Sequence, residues 1–178
     1  MSHVLLLLKI AAGYLAFNIV NHYATQTLYF ETGAHLIHLP SGLRLVIVLV
    51  SGVLGATAIA IATFPYAYFL LFKDNLPLSM LISLTTPLIP LVTLTLVKRF
   101  VPWKINFSDL NLQKLFILAV TYATTNATVQ QFTYHLFDLA SRPLNAWLVM
   151  FAGDILGIVI VLYALRIIGK VLDEKKGR

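Results

Sequence analysis

Asp154 stands alone in an otherwise apolar run, residues 147–163, that is long and greasy enough to cross a bilayer. An ionised carboxylate in hydrocarbon costs about 3 kcal/mol or more, so a chain that keeps one has a buried partner or a use for it. The chemistry open to it is a ligand, ion or proton role, or a hydrogen bond that fixes helix packing.

Other polar side chains are spaced so that each group lies along one face of its own helix. Thr121, Thr124, Thr128, Gln131, His135 and Asp138 recur every three or four residues and form one stripe, with Asn126 and Gln130 beside it. Tyr14, Asn18, His22, Thr25 or Gln26, and Tyr29 form a matching stripe near the N-terminus, with Asn21 adjoining. In lipid such faces must turn toward other helices or a wet cavity. The plainer explanation is interhelical hydrogen bonding, typically under about 2 kcal/mol per contact. The sharper one is a shared pocket for a small polar ligand, built from Asn18, His22, Arg44, Asn126, Gln131, His135 and Asp154.

Other chemistries find less support. His35 and His38 lie three apart near Glu31, but Gly33 and Pro40 surround them, so no metal site is expected and the histidines read as loop residues at the membrane interface. The sequon Asn126-Ala127-Thr128 falls inside a span and is discarded. No nucleophile elbow, phosphate-binding glycine loop or metalloprotease motif is present, so no enzyme, catalytic residue or cofactor is expected.

The elements that must position these residues are membrane helices. The chain has 178 residues, 59 % hydrophobic and only 11 % charged, and no cysteine. Its mean hydropathy is +0.85. A soluble domain carries about 25 % charged residues. The net charge of +6 would suggest nucleic acid in a soluble protein, but here the cations gather in connections and the tail, so the expected partner is the lipid bilayer.

The expected fold is all-α, a polytopic integral membrane helical bundle forming a single transmembrane domain over residues 1–178, with a charged tail from about 170. The first span covers residues 4–30; Lys9 interrupts its early run, so an uncleaved helix is expected rather than a signal peptide. Residues 45–72 are too long for one ordinary helix, and Ser51, Gly52 and Gly55 mark a break. A short or re-entrant helix over 42–53 and a fuller span over 55–72 follow. Lys73-Asp74-Asn75 makes a turn. The next span, 77–97, contains Pro87 and Pro90, where a kink is expected. A polar connection, 98–114, holds the interfacial anchor Trp103 and the helix cap Ser108–Asp109. Spans over 112–137 and 144–168 close the chain, joined at Ser141-Arg142-Pro143.

The 98–114 connection has four cations and the region after Tyr163 has five, which places both on the cytoplasmic side. If residues 45–72 cross twice, the N-terminus is cytoplasmic and the loop 31–41 faces out; if once, both reverse. Lys9 favours the first. The expectation is six membrane segments, the second short or re-entrant, with both termini cytoplasmic.

Two segments are informative as a pair. Residues 38–64, HLPSGLRLVIVLVSGVLGATAIAIATF, hold a Pro-small-Gly turn, a short helix and a glycine-spaced break. Residues 145–163, NAWLVMFAGDILGIVIVLY, carry Gly-Asp-x-x-Gly after an aromatic. Their order, with TNATV between them, resembles the MASE1 family of bacterial membrane sensor domains over about residues 38–165. The resemblance implies detection of a small molecule within the membrane domain of a bacterial inner membrane, and a signal passed to a cytoplasmic enzyme. It assigns Pro40 and Gly42 to the turn, and Gly153, Asp154 and Gly157 to the late motif. Leu39 replaces a second proline, Arg44 stands where the family is usually apolar, and no output domain follows Lys170, so a separate partner is expected.

Arg44 opens a membrane segment. It either pairs with Asp154, where loss of one partner would cost about 3–5 kcal/mol, or snorkels to the interface. Length and segment count are also similar to the substrate-binding membrane subunits of vitamin and metal uptake systems, for which the small-residue patch AAGYLA (residues 11–16) would suit docking on a coupling protein. Three function classes follow: a ligand sensor signalling through a separate membrane or cytoplasmic protein, a solute-capture or transport subunit, and a non-catalytic assembly factor.

Overall fold

The computed structural model describes residues 2–31, 33–100 and 112–176. Five long helices dominate: α1 (His3–Ala24), α2 (Leu39–Tyr66), α3 (Leu76–Phe100), α4 (Leu112–Leu136) and α5 (Pro143–Lys176). Between α1 and α2 a 3-10 turn leads into a small antiparallel hairpin, β1 (Tyr29–Glu31) and β2 (Ala34–His35). The all-α bundle is therefore as expected, with this hairpin added. The 98–114 connection, including Trp103 and the Ser108–Asp109 cap, lies mostly outside the described residues.

Four helical stretches are long and apolar enough to cross a membrane: His3–Ala24, Leu39–Leu71, Leu76–Phe100 and Pro143–Leu165. Helix α4 is long enough at 25 residues, but its polar side chains keep it out of that set. The bundle is apolar outside, where Val20, Val53, Phe69, Leu84, Phe116, Phe132, Leu148 and Val159 are exposed. Its interior holds Asn18, Arg44, Thr86, Asn126, Gln130 and Asp154. That inversion is what lipid as solvent requires.

Helix α1 is shorter than the 4–30 span. It closes at Ala24, where the Thr25 backbone N–H and hydroxyl both donate to Asn21 O, at 2.9 and 2.7 Å. The 31–41 segment is not a peripheral loop either. Ala34 and Ser41 are fully buried and His35 nearly so, because the chain dips back into the bundle against α5. A turn through Gly33, at φ 74°, makes that return possible, and the Tyr134 ring occupies the place a side chain there would need. Glu31 ties the hairpin to the start of α5: its Oε1 accepts from Ser141 Oγ at 2.6 Å and from the Arg142 N–H at 3.3 Å. These bonds hold the Glu31 carboxyl below its ordinary value.

The break in α2 falls at Gly52, at φ 54° and ψ −130°. A Cβ on Gly55 would stand 2.7 Å from Ile47 O. Residues eight apart in a straight helix stand about 12 Å apart along its axis, so the chain doubles back here. Only glycine adopts this backbone without strain. Beyond Pro65 a π turn, Ala67–Leu71, ends the second half. Lys73 and Asp74 form the next turn with φ 37° and 69°, and Asn75 Oδ1 caps α3 by accepting from the Leu78 N–H at 3.2 Å. Helix α3 continues through Pro87 and Pro90 without interruption.

Candidate functional site

Two pieces of sequence far apart in the chain meet to make the site. The late motif presents Gly153 and Gly157 toward the start of α2, and the backbone carbonyls of His35 and His38 lie where their Cβ atoms would be. The His38 N–H donates to Gly153 O at 3.1 Å. Ser41 Oγ lies 2.6 Å from His38 O and 3.1 Å from Asp154 O, so its single proton serves one or the other. Gly42 presses on Gly157 O, where a Cβ would come within 2.7 Å. The Pro-small-Gly turn and the Gly-Asp-x-x-Gly motif are thus two halves of one joint. Its glycines are set by backbone contact, and its aspartate faces inward, fully buried.

Around that aspartate lies an interior chamber of about 60 Å³. Asp154 Oδ2 accepts from Asn126 Nδ2 at 2.6 Å, leaving Oδ1 buried without a partner. Asn126 Oδ1 is also unpartnered. One turn further along α4, Gln130 Nε2 donates to Thr86 Oγ1 at 3.3 Å, and Gln130 Oε1 is left over.

Arg44 also lines the chamber. It is buried rather than snorkelling, and its fork donates to Tyr14 Oη at 2.7 Å, Tyr122 Oη at 3.4 Å and His38 Nε2 at 2.6 Å. A guanidinium can only donate, so His38 Nε2 accepts and the neutral ring carries its proton on Nδ1. No ion pair joins Arg44 to Asp154, although their opposite charges attract across the chamber. The choice between a direct pair and an interfacial arginine is therefore resolved as neither.

A larger hollow of about 320 Å³ adjoins this one, lined by His22, Gln26, Tyr29, Leu70 and Phe72, with Gly33, His35 and Leu71 common to both. The His22 ring meets Tyr66 edge-on at 6.1 Å. Burial, with His22 nearby, pushes the His35 imidazole below its ordinary value.

Of the residues singled out from the sequence, Asn18, Arg44, Asn126 and Asp154 line the inner chamber, and His22 lines the outer hollow. Gln131 is buried with both amide atoms unpartnered but lines neither, and His135 is exposed. Helix α4 is thus rotated from the anticipated stripe: Thr124 and Thr128 are exposed, while Tyr122, Asn126, Gln130 and Tyr134 face in. That four-residue spacing was present in the chain. Sequence reasoning also missed His35 and His38, which look like loop residues until α5 covers them. Among the described residues no group of three or more His, Asp or Glu side chains is placed to hold a metal ion.

A protein-family model described as MASE1 matches residues 6–176, nearly the whole chain. No curated protein and no solved structure matches.

Proposed function

We propose, because the chain belongs to the MASE1 family, that this multi-pass membrane domain is a sensor that admits a small polar ligand to the chamber around Asp154. One observation carries the reading: acceptor atoms of Asp154, Asn126 and Gln130 are buried there without partners. An unsatisfied buried polar group costs about 1–3 kcal/mol. A fold that keeps three beside a cavity is suited to something that fills it.

The signal leaves through α5. Its 34 residues span about 51 Å, against about 30 Å of hydrocarbon, so the helix carrying Asp154 also extends beyond the bilayer core. A change of packing around Asp154 moves a rigid rod whose far end meets a signalling partner. In this reading the chain has six membrane segments, α2 contributing two by doubling back at Gly52, with both termini on the cytoplasmic face of a bacterial inner membrane. The cation-rich 98–114 connection and tail support that orientation.

A thermal-shift screen of the purified full chain against small polar solutes tests binding. The expected result is a solute that raises the Tm of wild type but not of Asp154→Asn. Spin labels at Leu5 and Ile167, both exposed on outer faces, test the relay. Their separation should change when that solute binds. An unchanged distance with saturating ligand would refute transmission through α5.

A further inference from the structure

On the Asp154 side of the inner chamber the unpartnered atoms are all acceptors, whereas Thr63 Oγ1 and the Nδ1 atoms of His35 and His38 are left over elsewhere in its lining. We infer from the acceptor side that the ligand presents a primary ammonium group to Asp154, Asn126 and Gln130. This rests on the sensor reading above and narrows its ligand class. An ionised carboxylate only accepts, so Asn126 must turn its NH2 toward Asp154, and its carbonyl oxygen is left facing away. Gln130 spends its NH2 on Thr86 and likewise keeps an oxygen free. With Asp154 Oδ1, that makes three buried acceptors from neighbouring turns of α4 and α5. An ammonium group has three N–H donors and no acceptor, which complements this set.

Charge points the same way. Asp154 supplies the counter-charge, while the Arg44 guanidinium, which also lines the chamber, is tethered by Tyr14, Tyr122 and His38. A cationic head is therefore favoured beside Asp154 and disfavoured beside Arg44, which orients the ligand. Size limits it further: about 60 Å³ is well below the several hundred that hold a drug-sized molecule. Ligands from methylammonium up to the smallest amino acids satisfy both. Glycine adds a carboxylate that Arg44 would receive.

Calorimetric titration of the detergent-purified full chain separates these sources. The probes are methylammonium chloride, glycine, sodium chloride and sodium formate at equal ionic strength. Saturable heat with methylammonium or glycine, absent with sodium chloride, supports the inference. Tighter binding of glycine than of methylammonium identifies an amino acid, and equal binding identifies a simple amine. Gln130→Met keeps the side-chain length and removes the acceptor, so affinity should fall about tenfold or more. Asp154→Asn should abolish binding, with the unliganded Tm checked for both variants. Saturable binding of formate or sodium without the amines overturns the ammonium assignment and leaves the sensor reading standing. Amine affinity undiminished in folded Gln130→Met overturns the assigned site. No heat from any probe, together with a flat thermal-shift screen, removes the sensor reading itself.

Discussion

The same helices build two regions of opposite character. Away from the chamber, Ala11 of α1, Leu45, Val48, Ala56 and Ile59 of α2, Leu94 and Val97 of α3, Leu118 of α4 and Ile158 of α5 close into an apolar cluster. Around Asp154, other turns of those helices hold a hollow with unpartnered oxygens. In lipid neither region gains much from hydrophobic transfer, because the surroundings are as apolar as the core. The apolar region is held by close packing, and the polar one carries unpartnered atoms at a cost in stability. Apolar packing and unpartnered polar atoms are thus divided along each helix rather than between helices.

The joint between the regions is the most sensitive point. The double variant Gly153→Ala/Gly157→Ala places two methyl groups where the His35 and His38 carbonyls sit. It should cost about 3 kcal/mol or more, read as loss of monodisperse protein on size exclusion. A well-folded double variant would show that the joint is not what fixes the chamber.

The comparison itself is broken or sharpened by one substitution in each region. Leu118→Ala in the fully buried apolar cluster should lower unfolding stability by about 2–5 kcal/mol. Gln130→Leu in the chamber removes an unpartnered acceptor together with the bond to Thr86, effects of opposite sign, so it should change stability by no more than about 1 kcal/mol while weakening ligand binding. Equal losses from the two, measured by chemical denaturation in detergent, would erase the distinction.

The smallest effect belongs to the periphery. Glu31 has a folded-state pKa below its unfolded value, so its contribution is present above the ordinary carboxylate range. That contribution is lost as pH falls through the lowered folded value. Water screens this exposed site, so Glu31→Gln should lower Tm only slightly at neutral pH. The variant should also flatten the acid limb of the stability profile; an unchanged limb would remove Glu31 as the tie between hairpin and α5.

Much of the fold was legible because its signals are local. Apolar runs set the spans, Gly52 marked the reversal in α2, and Lys73-Asp74-Asn75 marked a turn. The limits were just as local. Helix α4 carries polar side chains on two adjacent faces, and periodicity cannot choose between a stripe through Thr124, Thr128 and His135 and one through Asn126 and Gln130. Contact with α3 and α5 chooses. The 31–41 segment looked peripheral because what buries it, Gly153 and Gly157, lies more than a hundred residues later.

The sequence by itself determined a membrane protein with an isolated intramembrane aspartate and two glycine-bearing motifs, since hydropathy and backbone permissiveness belong to each residue wherever it sits. Only the tertiary structure decided which polar atoms share a hollow and which are left without partners. A hydrogen bond is a relation between two groups, and here the groups come from helices that the sequence keeps apart.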